Sequence, residues 1–274
     1  MAFGKAHAGR LSGTYWDPGQ YLKFGDHRLR PALELLARVT HPAPEAIVDL
    51  GCGAGQVTRV IAERWPRAKV LGVDHSREML AEAAAQPGGI HWVEADIRTW
   101  SPGEGGADLI YSNAALHWVE AHPALFARLI GFLNPAGCLA VQMPLSWELP
   151  SHRIMRETLS NGGPGGAPLG PEALRTAAAR RWVEAPQAYY DLLAGRTRSL
   201  DIWQTEYLQT LRGDDPVLEW AKGTALRPIL NGLEAPQREI FLTEYARRLR
   251  AAYPAGADGV TLYPFRRLFI VATV

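Results

Sequence analysis

Three aspartates close successive apolar segments in the first third of the chain: Asp49 in AIVDL, Asp74 after KVLGV and Asp96 after IHWVEA. An unpaired carboxylate is costly to keep near a protein core, so acids at such places predict a ligand. Asp74 suits the two hydroxyls of a ribose, because a carboxylate can accept two hydrogen bonds. Asp96 can accept a hydrogen bond from an adenine amino group, and Asp49 suits a cationic centre. Together the three acids predict a site for a nucleoside that carries positive charge.

A glycine-rich turn directly follows the first of these segments, with Gly51, Gly53 and Gly55 at alternate positions. Glycine lets the backbone approach a ligand closely because it has no Cβ. The dinucleotide fingerprint Gly-x-Gly-x-x-Gly would need its third glycine at position 56, where Gln56 stands. A pyrophosphate would also be repelled by Asp49. The loop therefore favours a ligand without phosphates over a nicotinamide dinucleotide.

S-adenosylmethionine combines a ribose, an adenine and a positive centre, and it has no phosphate. We therefore predict S-adenosylmethionine as the cofactor and S-adenosylhomocysteine as its product. The expected cofactor-binding residues are Asp49, Gly51, Gly53, Gly55, Asp74, Asp96, Ile97 and Asn113. Of these, Ile97 packs either on the adenine or in the core.

Apolar strands alternate with helices as far as residue 143, and this alternation must position the three aspartates. The pattern predicts strands over 46–50, 69–73, 90–95, 108–112 and 138–143, and helices over 26–39, 56–65, 77–85 and 121–132. Ser76 is a good N-cap for the third of these helices. Strands that are apolar throughout indicate a parallel sheet covered on both faces, which binds its ligand at the carboxyl ends of the strands.

Beyond residue 143 the alternation stops. Residues 144–197 and 216–252 are helical in pattern, with a Gly/Pro-rich stretch at 161–171 that is either a connection or a lid. Two strand-like segments, 198–211 and 267–274, return to the sheet. We expect one α/β domain: a Rossmann-like, doubly wound, mostly parallel seven-stranded sheet with a helical cap over the substrate pocket. The expected core is 40–145, 198–211 and 265–274, and the expected cap is 1–39, 144–197 and 212–264.

Composition excludes several classes of protein. The 274 residues carry 29 Lys+Arg and 28 Asp+Glu, a balance that argues against nucleic-acid binding. No apolar run approaches the ~18 residues of a membrane span, and the first residues lack the pattern of a secretory signal. Two cysteines, Cys52 and Cys138, fit a reducing compartment, so we expect a cytoplasmic protein. The eight histidines are scattered, so no metal site is expected.

The segment VDLGCGAG at 48–55 resembles the first motif of class I S-adenosylmethionine-dependent methyltransferases. Further blocks are similar to the trans-aconitate 2-methyltransferase family, from about residue 14 to 273. These blocks are Trp16-Asp17-Pro18, YLKF at 21–24, Arg28, Arg30-Pro31, NAALHWV at 113–119, DIWQTEY at 201–207, GTALRP at 223–228 and RLF at 267–269. The chain departs from the family pattern at Gln204, where the family usually has histidine, and in the Gly/Pro-rich stretch.

The resemblance implies O-methylation of a carboxylate of a small organic acid such as trans-aconitate, giving a methyl ester. A carboxylate is already ionised at neutral pH, so no general base is obligatory, but cationic donors must hold it. Arg227 is the expected carboxylate ligand. The expected substrate-binding residues are Tyr21, Trp118, Trp147, Trp203, Tyr207 and Arg227.

Other functions stay open at this point. A hydroxyl O-methyltransferase acting on a natural product would need a base, and His117 is the candidate, although a structural histidine fits the position equally well. A third hypothesis is a protein that binds an adenosyl ligand without catalysis. A nicotinamide oxidoreductase is disfavoured by the glycine spacing.

Overall fold

The computed structural model describes residues 29–223 and 225–274, without the side chain of Glu104. The strands are β1 (Ala46–Leu50), β2 (Lys69–Asp74), β3 (His91–Glu94), β4 (Ala107–Asn113), β5 (Leu133–Pro144), β6 (Ser199–Leu211) and β7 (Thr261–Thr273). The helices are α1 (Arg30–Arg38), α2 (Gln56–Arg64), α3 (Arg77–Ala84), α4 (His122–Gly131), α5 (Pro150–Asn161), α6 (Glu172–Ala178), α7 (Pro186–Leu193), α8 (Pro216–Lys222), α9 (Arg227–Gly232) and α10 (Ala235–Ala252). As predicted, the Ser76 hydroxyl caps α3, accepting a hydrogen bond from the Met79 backbone N–H at 3.3 Å.

The strands form one sheet in the order β3-β2-β1-β4-β5-β7-β6. Strands β1 to β5 are parallel, and β7 runs antiparallel to both β5 and β6. The predicted mostly parallel seven-stranded sheet is therefore confirmed. The order reverses between β1 and β4, which places the ligand crevice of such a sheet at the carboxyl ends of these two strands.

Two strands are longer than their apolar cores predicted. β5 begins at Leu133 instead of Cys138, because Leu133 already pairs with Ala107 and the register then shifts before Cys138. β7 begins at Thr261 instead of Arg267, because its first residues pair with β6 alone, outside the part that also pairs with β5. The β6–β7 hairpin therefore extends beyond the sheet.

Helices cover both faces of the sheet. On one face, α1 and α2 bury apolar side chains that include Leu35 and Ile61 against the strand residue Phe269. On the other face, Phe126 of α4 and Tyr189 of α7 belong to a second buried cluster. Burial at about 25 cal/mol per Å² of apolar surface makes these clusters the main source of stability. The sequence analysis placed α1 and α7 in the cap, but both pack on the sheet.

A third buried cluster belongs to the remaining helices. Its core includes Ile154 of α5 and Phe241 of α10, and it also takes in Tyr263 and Phe265 from the extended part of β7. The hydroxyl of Tyr245 donates to the Ser151 carbonyl at 3.1 Å, which ties α10 to α5. The end of the β6–β7 hairpin thus carries a helical layer. The predicted division of the chain into core and cap stays a prediction. None of the described helices is both long and apolar enough to cross a membrane.

Candidate active site

The glycine loop between β1 and α2 is fixed against β2. The backbone N–H groups of Gly51 and Cys52 both donate to the Val73 carbonyl, at 2.8 and 3.0 Å. Gly51 has φ +78°, and a Cβ there would lie 2.1 Å from the Cβ of Ala115. Gly53 also has positive φ (+54°), but a Cβ there would meet no atom of the described residues within 4 Å. Gly51 is therefore required by packing, whereas Gly53 borders open space that a ligand can occupy.

Asp49 is buried at the end of β1, 2 % exposed, and accepts a hydrogen bond from the Thr58 hydroxyl at 2.7 Å. Burial, together with the charge of Asp74, raises the pKa of Asp49 to about 7. A cation beside Asp49 would favour its ionised form. A buried carboxyl that a cation would ionise agrees with the prediction that Asp49 suits the positive centre of a ligand.

The Asp74 carboxylate faces the crevice and also holds the glycine loop in place. Its Oδ2 accepts the Gly53 backbone N–H at 2.8 Å, and its Oδ1 accepts the Ser76 backbone N–H at 2.9 Å. The carboxylate therefore links the glycine loop to the start of α3. This structural role could not be predicted from residue types, because the two donors are backbone groups.

Asp96 and Ile97 come shortly after β3. Asp96 accepts the backbone N–H of Arg98 at 2.8 Å and its guanidinium at 2.5 to 3.0 Å, and the side-chain hydrogen bond is the main reason that the pKa of Asp96 falls to about 2. It is therefore ionised, with lone pairs left for a further donor. Ile97 is half-buried, and its Cδ1 lies 3.6 Å from the position of a Cβ on Gly51.

Beyond the loop, buried polar atoms lack partners. Asn113 ends β4 and pairs in register with Gln142 of β5. The Asn113 Oδ1 and the Gln142 Nε2 are both buried without a hydrogen-bond partner among the described residues. Native proteins rarely leave such atoms unpaired except where a ligand or solvent completes them. The two amides therefore mark a polar space next to the crevice.

His117 lies in a short 3₁₀ turn, Leu116–Trp118, just after β4. Its Nδ1 is buried and unpartnered among the described residues. Burial lowers the pKa of His117 to about 3, with further contributions from the charges of Arg267, His122 and His152. The Trp118 ring lies 4.8 Å from the His117 ring and is 55 % exposed. His117 is thus neutral and a weak base.

A buried hydrogen-bond chain holds this turn. The His122 Nε2 lies 3.0 Å from the Leu116 carbonyl, which can only accept, so Nε2 donates. In a neutral imidazole the other nitrogen is then an acceptor, and the Tyr189 hydroxyl donates to Nδ1 at 2.5 Å. The Tyr189 oxygen in turn accepts the Glu184 backbone N–H at 3.1 Å. Residues of α4 and α7 thereby position the turn that carries His117.

Arg267 of β7 was not singled out by the sequence analysis as a site residue. Its Nη1 lies 3.5 Å from the Gln142 Oε1, and its guanidinium lies 4.5 Å from the centroid of the Phe265 ring. Its Nε is buried and has no hydrogen-bond partner among the described residues. Burial lowers the pKa of Arg267 to about 10. The available signal was an arginine at the start of the apolar run RLFIVATV.

Trp147, together with His152 and Arg156 of α5, forms the part of the site next to His117. The Arg156 guanidinium lies 3.7 Å from the centroid of the Trp147 ring and donates from Nη2 to the Trp147 carbonyl at 3.0 Å, while its Nη1 is buried and unpartnered among the described residues. Burial, with the charge of Arg156, lowers the pKa of His152 to about 4. His152 and Arg156 were also missed by the sequence analysis.

Strand register brings the two parts of the site to one face. Asp49 pairs with Tyr111, and two residues on, Asn113 pairs with Gln142, which pairs with Phe269. Residues two apart on a strand share a face, so the Arg267 side chain lies on the same face as that of Asp49. With strands about 4.8 Å apart, the three steps from β1 to β7 span roughly 14 Å.

Comparison with known proteins assigns the family. A methyltransferase-domain model matches residues 47–137. The trans-aconitate 2-methyltransferase of Pseudomonas aeruginosa is 47% identical over 259 residues, which are 94% of each chain. That of Streptomyces avermitilis is 47% identical over 265 residues, 94% of this chain and 96% of the relative. The chain belongs to the trans-aconitate 2-methyltransferase family. The predicted family is therefore confirmed, as is S-adenosylmethionine as its methyl donor.

The solved structure of the YcgJ protein from Bacillus subtilis shows the same fold as this methyltransferase. The TM-score is 0.57 at 12% identity, and the match covers 90% of this chain and 98% of that one. The described residues also fit the donor. Gly53 leaves room for a ligand among the described residues, and a cation beside Asp49 would lower its pKa and favour the ionised carboxylate. The carboxylates of Asp74 and Asp96 can each accept further hydrogen bonds. Within residues 29–223 and 225–274, no three His, Cys, Asp or Glu side chains are grouped as a metal site requires.

The predicted substrate residues of the methyltransferase lie in several places. Trp203 stacks on Phe269 at 4.7 Å between ring centroids, with Arg38 5.4 Å above its ring. The Tyr207 hydroxyl donates to the Glu34 carboxylate, and the charge interaction between Tyr207 and Arg267 shows that these two side chains are close. Tyr207 therefore borders the Arg267 side of the site.

Two further predicted substrate residues stay predictions. Arg227 is the first residue of α9 and is exposed. Tyr21 lies outside the described residues. The roles of the individual cofactor and substrate residues are argued below as proposals.

Proposed function

We propose that this family member transfers the methyl group of S-adenosylmethionine to a carboxylate oxygen of a small polycarboxylic acid such as trans-aconitate. The observation that carries the proposal is the chemistry of the buried side chains beyond the glycine loop. We call Asn113, His117, Gln142, His152 and Arg267 the acceptor cluster. It contains amides, imidazoles with lowered pKa and one guanidinium, but no acid. Such a set complements an anion.

The adenosyl side of the site is proposed to hold the donor through Asp49, Asp74 and Asp96, with Gly53 allowing close approach of the backbone. When bound, S-adenosylmethionine supplies a methyl group on a positively charged sulfur. Ionised Asp49 stabilises a positive charge in a buried setting, where electrostatic interactions are strong. The remaining requirement is that an acceptor oxygen be aligned with the methyl carbon and that water be kept out.

The acceptor cluster meets this requirement for a carboxylate. The carboxylate is already ionised, so no proton has to be removed. The exposed ring of Trp118 and the wall of Trp147 with Arg156 supply apolar and cationic surface beside it. Asn113 is the last residue of β4, which lies between β1 and β7 in the sheet, so we place the reacting carboxylate near Asn113.

A hydroxyl acceptor is not supported by the same observations. With a pKa of about 3, His117 is too weak a base to take a proton from an alcohol or phenol efficiently near neutral pH. We propose that His117 lines the pocket as a neutral side chain. The two free, buried cysteines agree with a reducing compartment, and we propose that the reaction takes place in the cytoplasm.

The test is transfer of label from methyl-labelled S-adenosylmethionine to trans-aconitate. A methyl ester is hydrolysed by mild alkali and releases labelled methanol, whereas a methyl ether is stable. We expect alkali-labile label that requires the folded enzyme, with heat-denatured enzyme as control. Alkali-stable label on a hydroxyl compound would contradict the carboxylate assignment. Binding of S-adenosylhomocysteine without transfer to any acid would favour a non-catalytic binding protein.

A further inference from the structure

Arg267 is a buried cation that has no anionic partner among residues 29–223 and 225–274. Within these residues its Nε is buried without a hydrogen-bond partner, and its Nη1 lies 3.5 Å from the neutral amide of Gln142, which is a long hydrogen bond. In the part of the chain that the structure describes, no carboxylate forms an ion pair with Arg267. An unpaired buried charge destabilises a protein, so proteins keep one mainly where function requires it.

In the described part of the chain, the side chains found around Arg267 are uncharged. Its guanidinium lies over the Phe265 ring, and the phenols of Tyr207 and Tyr263 face it from β6 and β7. His117 faces it from the turn after β4 and is held neutral. The Glu34 carboxylate, which accepts a hydrogen bond from the Tyr207 hydroxyl, also accepts one from Arg30 at 2.8 Å.

Arg267 lies away from the place where we expect the methyl group to be transferred. It lies on β7, two strands beyond β4 and three beyond Asp49, so it is on the side of the acceptor cluster that is farthest from the glycine loop. An arginine fork that bound both oxygens of the reacting carboxylate would withdraw electron density from the oxygen that must attack the methyl carbon. The geometry therefore suits a second carboxylate of the same acid.

We propose that Arg267 binds a carboxylate of the substrate that is not methylated, and thereby selects acids with two or more carboxylates. This inference rests on the proposed function and adds the residue that determines specificity. Arg267 acts through binding and does not take part in the methyl transfer itself. Gln142, which contacts the guanidinium through Oε1, holds it in place.

A matched control is available next to it in the sequence. Arg266 is exposed on the opposite face of β7 and pairs with Glu206 at 3.0 Å. Arg266→Gln removes the same charge and shortens the side chain by the same amount at the neighbouring residue, without touching the acceptor cluster. It should leave kcat/KM unchanged within about 2-fold, as expected for a surface ion pair.

The experiment compares wild type, Arg267→Gln and Arg266→Gln on four acids. These are trans-aconitate and the three dicarboxylates that each lack one of its carboxyl groups. We expect Arg267→Gln to lower kcat/KM for trans-aconitate by about 10- to 100-fold, the range for a lost charge-assisted hydrogen bond. For the one dicarboxylate that lacks the carboxyl bound by Arg267, wild type and variant should differ by less than about 3-fold. Calorimetric titration of trans-aconitate into the enzyme with S-adenosylhomocysteine should show the same pattern in affinity.

The possible outcomes distinguish the role proposed for Arg267 from the proposed methylation of a carboxylate. An equal loss for all four acids, or no loss for any, would overturn the assignment of Arg267 while leaving carboxylate methylation intact. Failure of wild type to methylate any of the acids would overturn the proposed function and this inference with it. Thermal unfolding without ligands checks for a structural role: removal of an uncompensated buried charge should keep or raise the midpoint. If Arg267→Gln does not fold, Arg267→Lys, which keeps the charge but loses the fork, should show the same selective loss.

Discussion

The adenosyl side and the acceptor side of this site are built in opposite ways. On the adenosyl side, polar groups are already paired: Asp49 with Thr58, Asp74 with the Gly53 and Ser76 backbone. In the acceptor cluster, buried atoms of Asn113 and His117 have no partner among the described residues. The first arrangement is preformed around a ligand that the whole family shares. Under the proposed function the second is completed by the acid substrate, so we expect it to set the choice of substrate.

The same difference explains what could be predicted from the sequence. The glycine loop and the aspartates at or near the carboxyl ends of β1, β2 and β3 lie within 50 residues of one another, in segments whose apolar pattern is strong. Their common location follows from parallel pairing alone. The acceptor cluster depends on the register between β5 and β7, which are more than a hundred residues apart in the sequence. No local pattern predicts that register.

The cap illustrates the same limit. The sequence predicted helices in 144–197 and 216–252, and these exist, but it did not show which of them pack on the sheet. The helix α7 packs on the sheet because Tyr189 reaches His122, a contact across 67 residues. Likewise, the β6–β7 hairpin extends to Thr261 because paired backbones, not apolar side chains, define its end.

The largest effect is expected at Gly51. Gly51→Ala forces a residue into a left-handed conformation and places its Cβ 2.1 Å from that of Ala115. Left-handed backbone alone costs about 1–2 kcal/mol and overpacking about 1–3 kcal/mol more. Denaturant unfolding without ligand should show the sum. Gly53→Ala is the matched control. In the part of the chain that the structure describes, no atom lies within 4 Å of the position of its Cβ, so this variant should lose only the backbone part of the stability while weakening donor affinity. Equal losses of stability would contradict the distinction between the two glycines.

Asp74→Ala should weaken S-adenosylhomocysteine binding by about 1.5–3 kcal/mol, the value of hydrogen bonds to a charged group. Because Asp74 also accepts two backbone N–H groups, the free protein should lose about 1–2 kcal/mol of stability as well. Calorimetry and urea unfolding measure the two effects separately. A loss of stability with unchanged affinity would make Asp74 a purely structural residue.

Donor affinity should depend on pH through Asp49, whose pKa is about 7 in the free protein, against 3.8 ordinarily. A cationic donor favours the ionised carboxylate, so binding releases a proton near pH 7. Affinity should therefore rise as pH increases to about 7 and level off above it, by up to tenfold per pH unit on the rising side. Asp49→Asn should flatten the curve. A curve that is flat in wild type, or that falls with rising pH, would contradict the pairing of Asp49 with a cation.

Arg227→Ala is expected to lower activity less than Arg267→Gln. Arg227 is exposed at the start of α9, so Arg227→Ala should change kcat/KM for trans-aconitate less than Arg267→Gln does. Steady-state kinetics of the two variants compares them directly. A larger loss at Arg227 would restore the assignment that the family resemblance implied and would move the carboxylate ligand into the helical layer.

The pH profile of kcat for methylation of trans-aconitate, measured for wild type and His117→Ala, tests most directly whether the acceptor side works without a base. Burial holds the pKa of His117 at about 3, so its protonation state does not change between pH 6 and pH 9. The account predicts that His117→Ala keeps at least a tenth of the wild-type rate and that both profiles are flat over this range. A wild-type rate that rises with pH through a step that is absent from an almost inactive His117→Ala, with fold and donor affinity intact, would contradict it.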